Sequence, residues 1–159
     1  MSSTHKKVIV RKMDRDSVQG HVPSAFLAGG KLEMLNSSGS VVMIDLKDVK
    51  LVQFVREFGE PDDMVRKTFT TRPRTQGRWV RLRFRDNDVI EGTMPNDLTQ
   101  VLPEGFLINP PDSRNTQRVF VPRTALAAMT ILGVIGGPVT RRRKPAPKAD
   151  SRQVPMFSE

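Results

Sequence analysis

Apolar and polar positions alternate most cleanly at 80–85, where Val80, Leu82 and Phe84 are interleaved with Arg81, Arg83 and Arg85. A period of two predicts a strand with one apolar and one wet face. An equivalent strand is expected at 8–13. Turn-forming clusters follow both, Asp14-Arg15-Asp16 and Asp86-Asn87-Asp88, and predict hairpins into strands at 17–22 and 89–94. Further strands are expected at 31–35 and 105–108, at 41–46 and 118–121, and at 51–55 and 129–132. Short segments at 47–49 and 124–126 read as tight turns or one helical turn. Gly20 and Gly92 lie inside the second strand of each series, where a glycine commonly marks a bend.

These elements come in two matching sets. VIVRKMDRDSVQGHVP (8–23) aligns without a gap over VRLRFRDNDVIEGTMP (80–95), 72 positions on, with six of 16 pairs identical. The match resumes at an offset of 77, where VVMIDLKDVKLVQFV (41–55) lies over RVFVPRTALAAMTIL (118–132). Internal similarity of this kind points to repeated structural units. Units of about 50 to 60 residues are close to the lower limit for a self-sufficient core, so the halves are expected to pack on each other. The division expected is a first repeat at 1–58, a charged linker at 59–77, a second repeat at 78–137 and a disordered basic tail at 138–159.

Five short antiparallel strands with a glycine inside the second suggest a small, strongly bent barrel. The order strand, Asp-containing turn, strand with interior Gly, long loop and final hairpin resembles the Sm-like small barrel of bacterial and archaeal RNA-binding ring proteins. Asp14 and Gly20, and Asp86 and Gly92, match that motif. The resemblance implies a mainly β chain of two tandem five-stranded Sm-like or SH3-like barrels followed by a flexible basic tail. It does not extend to the RNA pocket, since the Asp and Asn of the third-strand loop have no counterpart, and Leu46-Lys47-Asp48 and Arg123-Thr124 stand in place of the last-loop signature. The wording of IDLKDVKLVQFVREF and GFLINPPDSRNTQRVFVPRTAL also resembles an uncharacterised bacterial domain that occurs alone, in duplicate or beside signalling modules.

Charge changes the picture more than composition does. The 159 residues carry 26 Lys and Arg against 17 Asp and Glu, a formal net charge of +9. Eight basic residues and no acid lie between 64 and 85, and six basic against two acidic between 138 and 159. The remainder is slightly acidic. Concentrated positive charge is the footprint expected for a phosphate backbone. Arg81, Arg83 and Arg85 should project from one strand face about 6.5 to 7 Å apart. Trp79 shares their parity and offers a stacking platform. The candidate nucleic-acid-binding set is therefore Arg72, Arg74, Arg78, Trp79, Arg81, Arg83 and Arg85, with Arg141, Arg142, Arg143 and Lys144 from the tail. Copy one carries Ile9, Arg11 and Met13 in place of the arginine ladder, which suggests an interface with the other unit or another chain.

Other chemistries fit less well. Cysteine is absent, so no disulfide, thiolate zinc site or cysteine nucleophile is available. His5 reads as part of a flexible N-terminus and His21 has no neighbouring carboxylate pair at a useful spacing, and catalysis, metals and cofactors are not expected. Ala28-Gly29-Gly30-Lys31 lacks the spacing of a phosphate loop. The charge-free run at 125–139 is too short and glycine-broken to cross a bilayer, and reads as the last buried strand with a Gly-rich exit. With no leader pattern at MSSTHKK, the cytoplasm is the expected compartment. The expected function is non-enzymatic binding of nucleic acid, RNA before DNA. The alternatives are a protein-interaction or adaptor module of a bacterial signalling or motility system, and a PilZ-like cyclic-dinucleotide sensor suggested by Arg74 to Arg78 ahead of Asn87 to Gly92. A homo-oligomer or an intramolecular pseudo-dimer is expected because small barrels expose sheet edges.

Overall fold

Both Asp-rich turns fold their hairpins with one geometry. In the computed structural model, which describes residues 5–58, 67–74, 76–96, 101–111 and 115–136, β1 (Lys6–Lys12) turns into β2 (Ser17–Val22), and β7 (Gly77–Phe84) into β8 (Val89–Met94). Arg15 and Asn87 occupy the same place in the two turns and both have positive φ, 75° and 72°. The Asp14 carboxylate accepts the Asp16 N–H at 3.0 Å and the Asp86 carboxylate the Asp88 N–H at 3.2 Å. An Asp that bonds the backbone two residues on stabilises such a turn without help from the rest of the fold.

The other strands are β3 (Leu27–Ala28), β4 (Lys31–Asn36), β5 (Val41–Asp45), β6 (Val49–Val55), β9 (Val101–Leu102), β10 (Gly105–Ile108), β11 (Thr116–Pro122) and β12 (Leu126–Ile135). Single 3-10 turns, Leu46–Asp48 and Arg123–Ala125, connect β5 to β6 and β11 to β12. The chain is mainly β, with no α-helix among the described residues. No helix among them is long and apolar enough to cross a membrane. Two-residue strands β3 and β9 carry no alternation that sequence could show.

The strands form a nine-stranded sheet in the order β3-β4-β2-β1-β6-β11-β10-β9, with β5 on β4, and a three-stranded sheet β12-β7-β8. This hydrogen-bonded pairing closes neither sheet on itself. Register repeats along the chain: Val8 faces Gly20 and Val80 faces Gly92, while Val10 faces Val52 and Leu82 faces Met129. Gly20 and Gly92 sit where the second strand of each set presses on Met34 and Leu35 or on Ile108 and Asn109.

Strand β6 joins the halves by pairing with β1 on one edge and β11 on the other. Two apolar clusters result. The first gathers Val8, Val10, Val22, Leu32, Met34, Val52 and Phe54, and the second Val80, Leu82, Phe84, Ile90, Ile108 and Val119. Each borrows from the other half: Phe120 of β11 lies in the first, Leu51 of β6 in the second, and Met13 packs against the second. Of the three residues Ile9, Arg11 and Met13, Met13, just past β1, packs against the second cluster, Arg11 bonds Gln53 of the first half, and Ile9 is buried. The seam also carries charge. Buried Lys50 bonds Asp86 at 2.8 Å and also Asp88, and lies 5.2 Å from the Phe84 ring centre, with Arg15 3.8 and 3.9 Å from the same two carboxylates.

The charge-free run at 125–139 does not supply the last buried strand. Its described part holds β12, which among the described residues pairs only with β7, and Met129, Ile131 and Val134 are exposed.

Candidate nucleic-acid interface

Strand β7 alternates buried Val80, Leu82 and Phe84 with exposed Arg81 and Arg83, as the sequence period predicts. The turn register places Glu91 of β8 directly opposite Arg81. Glu91 is only 2% exposed, and its carboxylate is satisfied by four donors. Oε1 accepts the Trp79 indole N–H and the Phe69 backbone N–H, both at 3.1 Å. Oε2 accepts from Arg81 Nε at 3.1 Å and from its terminal nitrogen at 2.9 Å. A carboxylate withdrawn from water is tolerated when charged and polar donors replace the lost hydration in this way.

Glu91 also fastens a segment that reads from sequence as linker. Its backbone N–H donates to the Lys67 carbonyl at 2.7 Å, and Phe69 meets Trp79 edge to face at 6.3 Å. Arg72 reaches the Val134 carbonyl at 3.4 Å. Residues 67–74 therefore lie as a strap across β8, β7 and the end of β12. The strap opens a groove of about 480 Å³ lined by Lys67, Thr70, Arg72, Arg74 and Pro111 among others.

The structure brings most of the expected residues to one region but gives them different work. Arg72 and Arg74 are exposed on the strap, and Arg83 on the strand face. Arg85 lies past the end of β7, in the turn, 3.5 Å from the Lys47 carbonyl. Arg78 is half-buried and falls on the opposite parity from Trp79, Arg81 and Arg83. The half-buried Trp79 has its indole N–H bound to Glu91 and its ring in edge-to-face contact with Phe69. Arg81 is not a free cation, because Glu91 neutralises it. Among the described residues no carboxylate lies within ion-pair distance of Arg72, Arg74, Arg78, Arg83 or Arg85. Arg141, Arg142, Arg143 and Lys144 lie outside the described residues.

Sequence reasoning missed Glu91, Phe69 and Lys67. Glu91 had a readable signal: once the turn at 85–88 is fixed, counting outward along the hairpin sets an acid opposite an arginine. Phe69 and Lys67 had none, since only the folded path of the strap brings them to β8.

Chemically, the region offers several guanidinium groups that have no carboxylate partner among the described residues, on a platform tied together by Glu91, Trp79 and Phe69. Such a surface suits an extended polyanion. A family of unknown function, DUF6982, matches residues 4–133, and the chain belongs to that family. No curated protein and no solved structure matches it.

Proposed function

We propose that this DUF6982 chain is a cytoplasmic, non-enzymatic nucleic-acid-binding protein in which two Sm-like small barrels stand in tandem. A phosphate backbone runs along Arg72, Arg74, Arg83 and Arg85, and the Arg141 to Lys144 cluster adds further contacts. The observation that carries this reading is the set of exposed guanidinium groups on and beside the strap that have no carboxylate partner among the described residues. The recurrence of turn geometry and strand register supports the two-unit part, with repeats at 1–58 and 78–137. Arg81 and Trp79 have the supporting role: they hold Glu91, and Glu91 holds the strap.

The test is fluorescence anisotropy of labelled single-stranded RNA and of duplex DNA with nuclease-treated protein at two salt concentrations. If about four phosphates are held, affinity falls about a hundredfold between roughly 50 and 200 mM salt. Replacing Arg74 and Arg83 together by Ser lowers the salt slope by about two, one for each phosphate no longer neutralised. Deleting residues 138–159 lowers it further. Absence of binding to either probe at the lower salt overturns the reading, and a salt-independent affinity removes the phosphate contacts from it.

A further inference from the structure

The two halves of the chain are joined by one strand pairing, and that pairing leaves its own counterparts open. Strand β11 lies on β6 with Arg118 opposite Phe54, Val119 opposite Gln53 and Phe120 opposite Val52. The join is apolar where it matters, since Phe120, Val52 and Phe54 are buried in one cluster. The Arg118 guanidinium lies 6.0 Å from the Phe54 ring centre, and Gln53 donates to Thr116 at 3.0 Å.

Strand β12 stands to β7 as β6 stands to β1. Val8 and Val10 face Phe54 and Val52, and 72 and 77 residues on Val80 and Leu82 face Ile131 and Met129. Strand β5 likewise stands to β4 as β11 stands to β10, Leu32 facing Ile44 and Phe106 facing Val121. So β12 has the place of β6, and β5 has the place of β11. Among the described residues each of them is paired on one edge only.

The side chains on these edges fit the gap. The large hydrophobic residues exposed among the described residues are Val41 and Met43 on β5, and Met129, Ile131 and Val134 on β12. Carrying the β6·β11 register over by 77 positions sets Val41 opposite Ile131, Val42 opposite Thr130 and Met43 opposite Met129. The residues brought face to face are those most in need of cover: Val41 at 64% exposure with Ile131 at 53%, and Met43 at 46% with Met129 at 40%. Directly opposed apolar pairs are the unit by which neighbouring strands stabilise each other.

We propose that β5 of one copy of this chain adds to β12 of a second copy, repeating between molecules the β6·β11 join within each. The contact is heterologous, so each copy keeps one edge of each kind. Assembly therefore continues head to tail until it closes as a ring or extends as a filament. An uncovered strand edge of this apolar character is otherwise an aggregation liability. The proposal does not depend on nucleic-acid binding.

Light scattering after gel filtration of the nuclease-treated full chain at high salt reads the mass directly. The native chain runs as a multiple of one chain. Met43→Lys alone and Ile131→Lys alone run as monomers, each with an unchanged circular dichroism spectrum because both positions are exposed. An equimolar mixture of the two variants runs as a dimer and no larger, since the intact β12 of the first meets the intact β5 of the second. A second measurement uses the absence of cysteine. Under mild oxidation a mixture of Met43→Cys and Met129→Cys gives a crosslinked pair, and neither variant does so alone. A monomeric native chain, a variant that keeps the native mass, or a mixture that stays monomeric overturns the proposal.

Discussion

At the scale of single residues, three carboxylates, Glu91, Asp86 and Asp88, explain why this basic chain is not simply a collection of solvated charges. Glu91 turns an arginine and a tryptophan that looked like ligand contacts into the foundation of the strap. Lys50 does the converse: a basic residue on an all-buried strand is drawn between Asp86 and Asp88 of the other half. Burial acts to raise the Asp86 pKa. The hydrogen bonds from Lys50 and from the Asp88 backbone, with the positive charges of Lys50 and Arg15, outweigh it, so Asp86 titrates below its usual value. A depressed folded-state pKa contributes stability above the unfolded pKa, and that contribution is lost as pH falls through the folded value. Stability is therefore expected to decline below about pH 4, where an unfolded aspartate takes up its proton. Lys50→Met leaves two carboxylates facing each other with only the more distant Arg15, and is expected to cost about 3 kcal/mol at neutral pH, the lower end for breaking a buried pair. Its acid-side decline should be shallower than that of the native chain. Urea titrations at neutral and acid pH check both statements, and an equal acid decline in the variant would remove Lys50 from the explanation.

At the scale of elements, the hairpins were legible because their causes are local. Alternation fixes the faces of β7, and Asp-X-Asp fixes the turn, so strand, turn and register follow from neighbouring residues. Gly20 and Gly92 stand where the neighbouring chain approaches too closely for a side chain. A Cβ on Gly20 would lie 2.6 Å from the Leu35 carbonyl oxygen, and one on Gly92 2.8 Å from Ile108 Cδ1 and 2.9 Å from the Asn109 carbonyl oxygen. A backbone oxygen cannot move aside as a flexible side chain can, so the strands must separate. Gly92→Ala is expected to lose about 1 to 3 kcal/mol by overpacking, read as a lowered Tm. An unchanged Tm would mean that β8 and β10 have room which the structure does not give them. The extent of β12 was not legible in the same way. A charge-free run reads as buried, and its exposure follows only from which strands are its neighbours.

At the scale of the whole molecule, the seam decides how the chain behaves. Phe120 belongs by sequence to the second half and by packing to the core of the first, and Leu51 makes the reverse exchange. Phe120→Ala is expected to cost about 3 to 5 kcal/mol, the usual range for emptying a buried aromatic site. Because the cores are exchanged, both halves should unfold together. Fluorescence of Trp79 in the second half and circular dichroism of the whole chain should give coincident midpoints in native and variant protein, and separate transitions would show halves that are independent. The sequence by itself determined the Asp turns, the buried and wet faces of β7 and the concentration of charge between 64 and 85, because each depends on residues close together along the chain. The tertiary structure alone decided that β6 joins the halves, that 67–74 is a strap rather than a spacer, that Glu91 and Lys50 hold their partners, and that among the described residues β5 and β12 each have an unpaired edge with exposed apolar side chains. These rest on contacts between residues far apart in sequence, and which strand lies beside which is settled only when the chain closes on its cores.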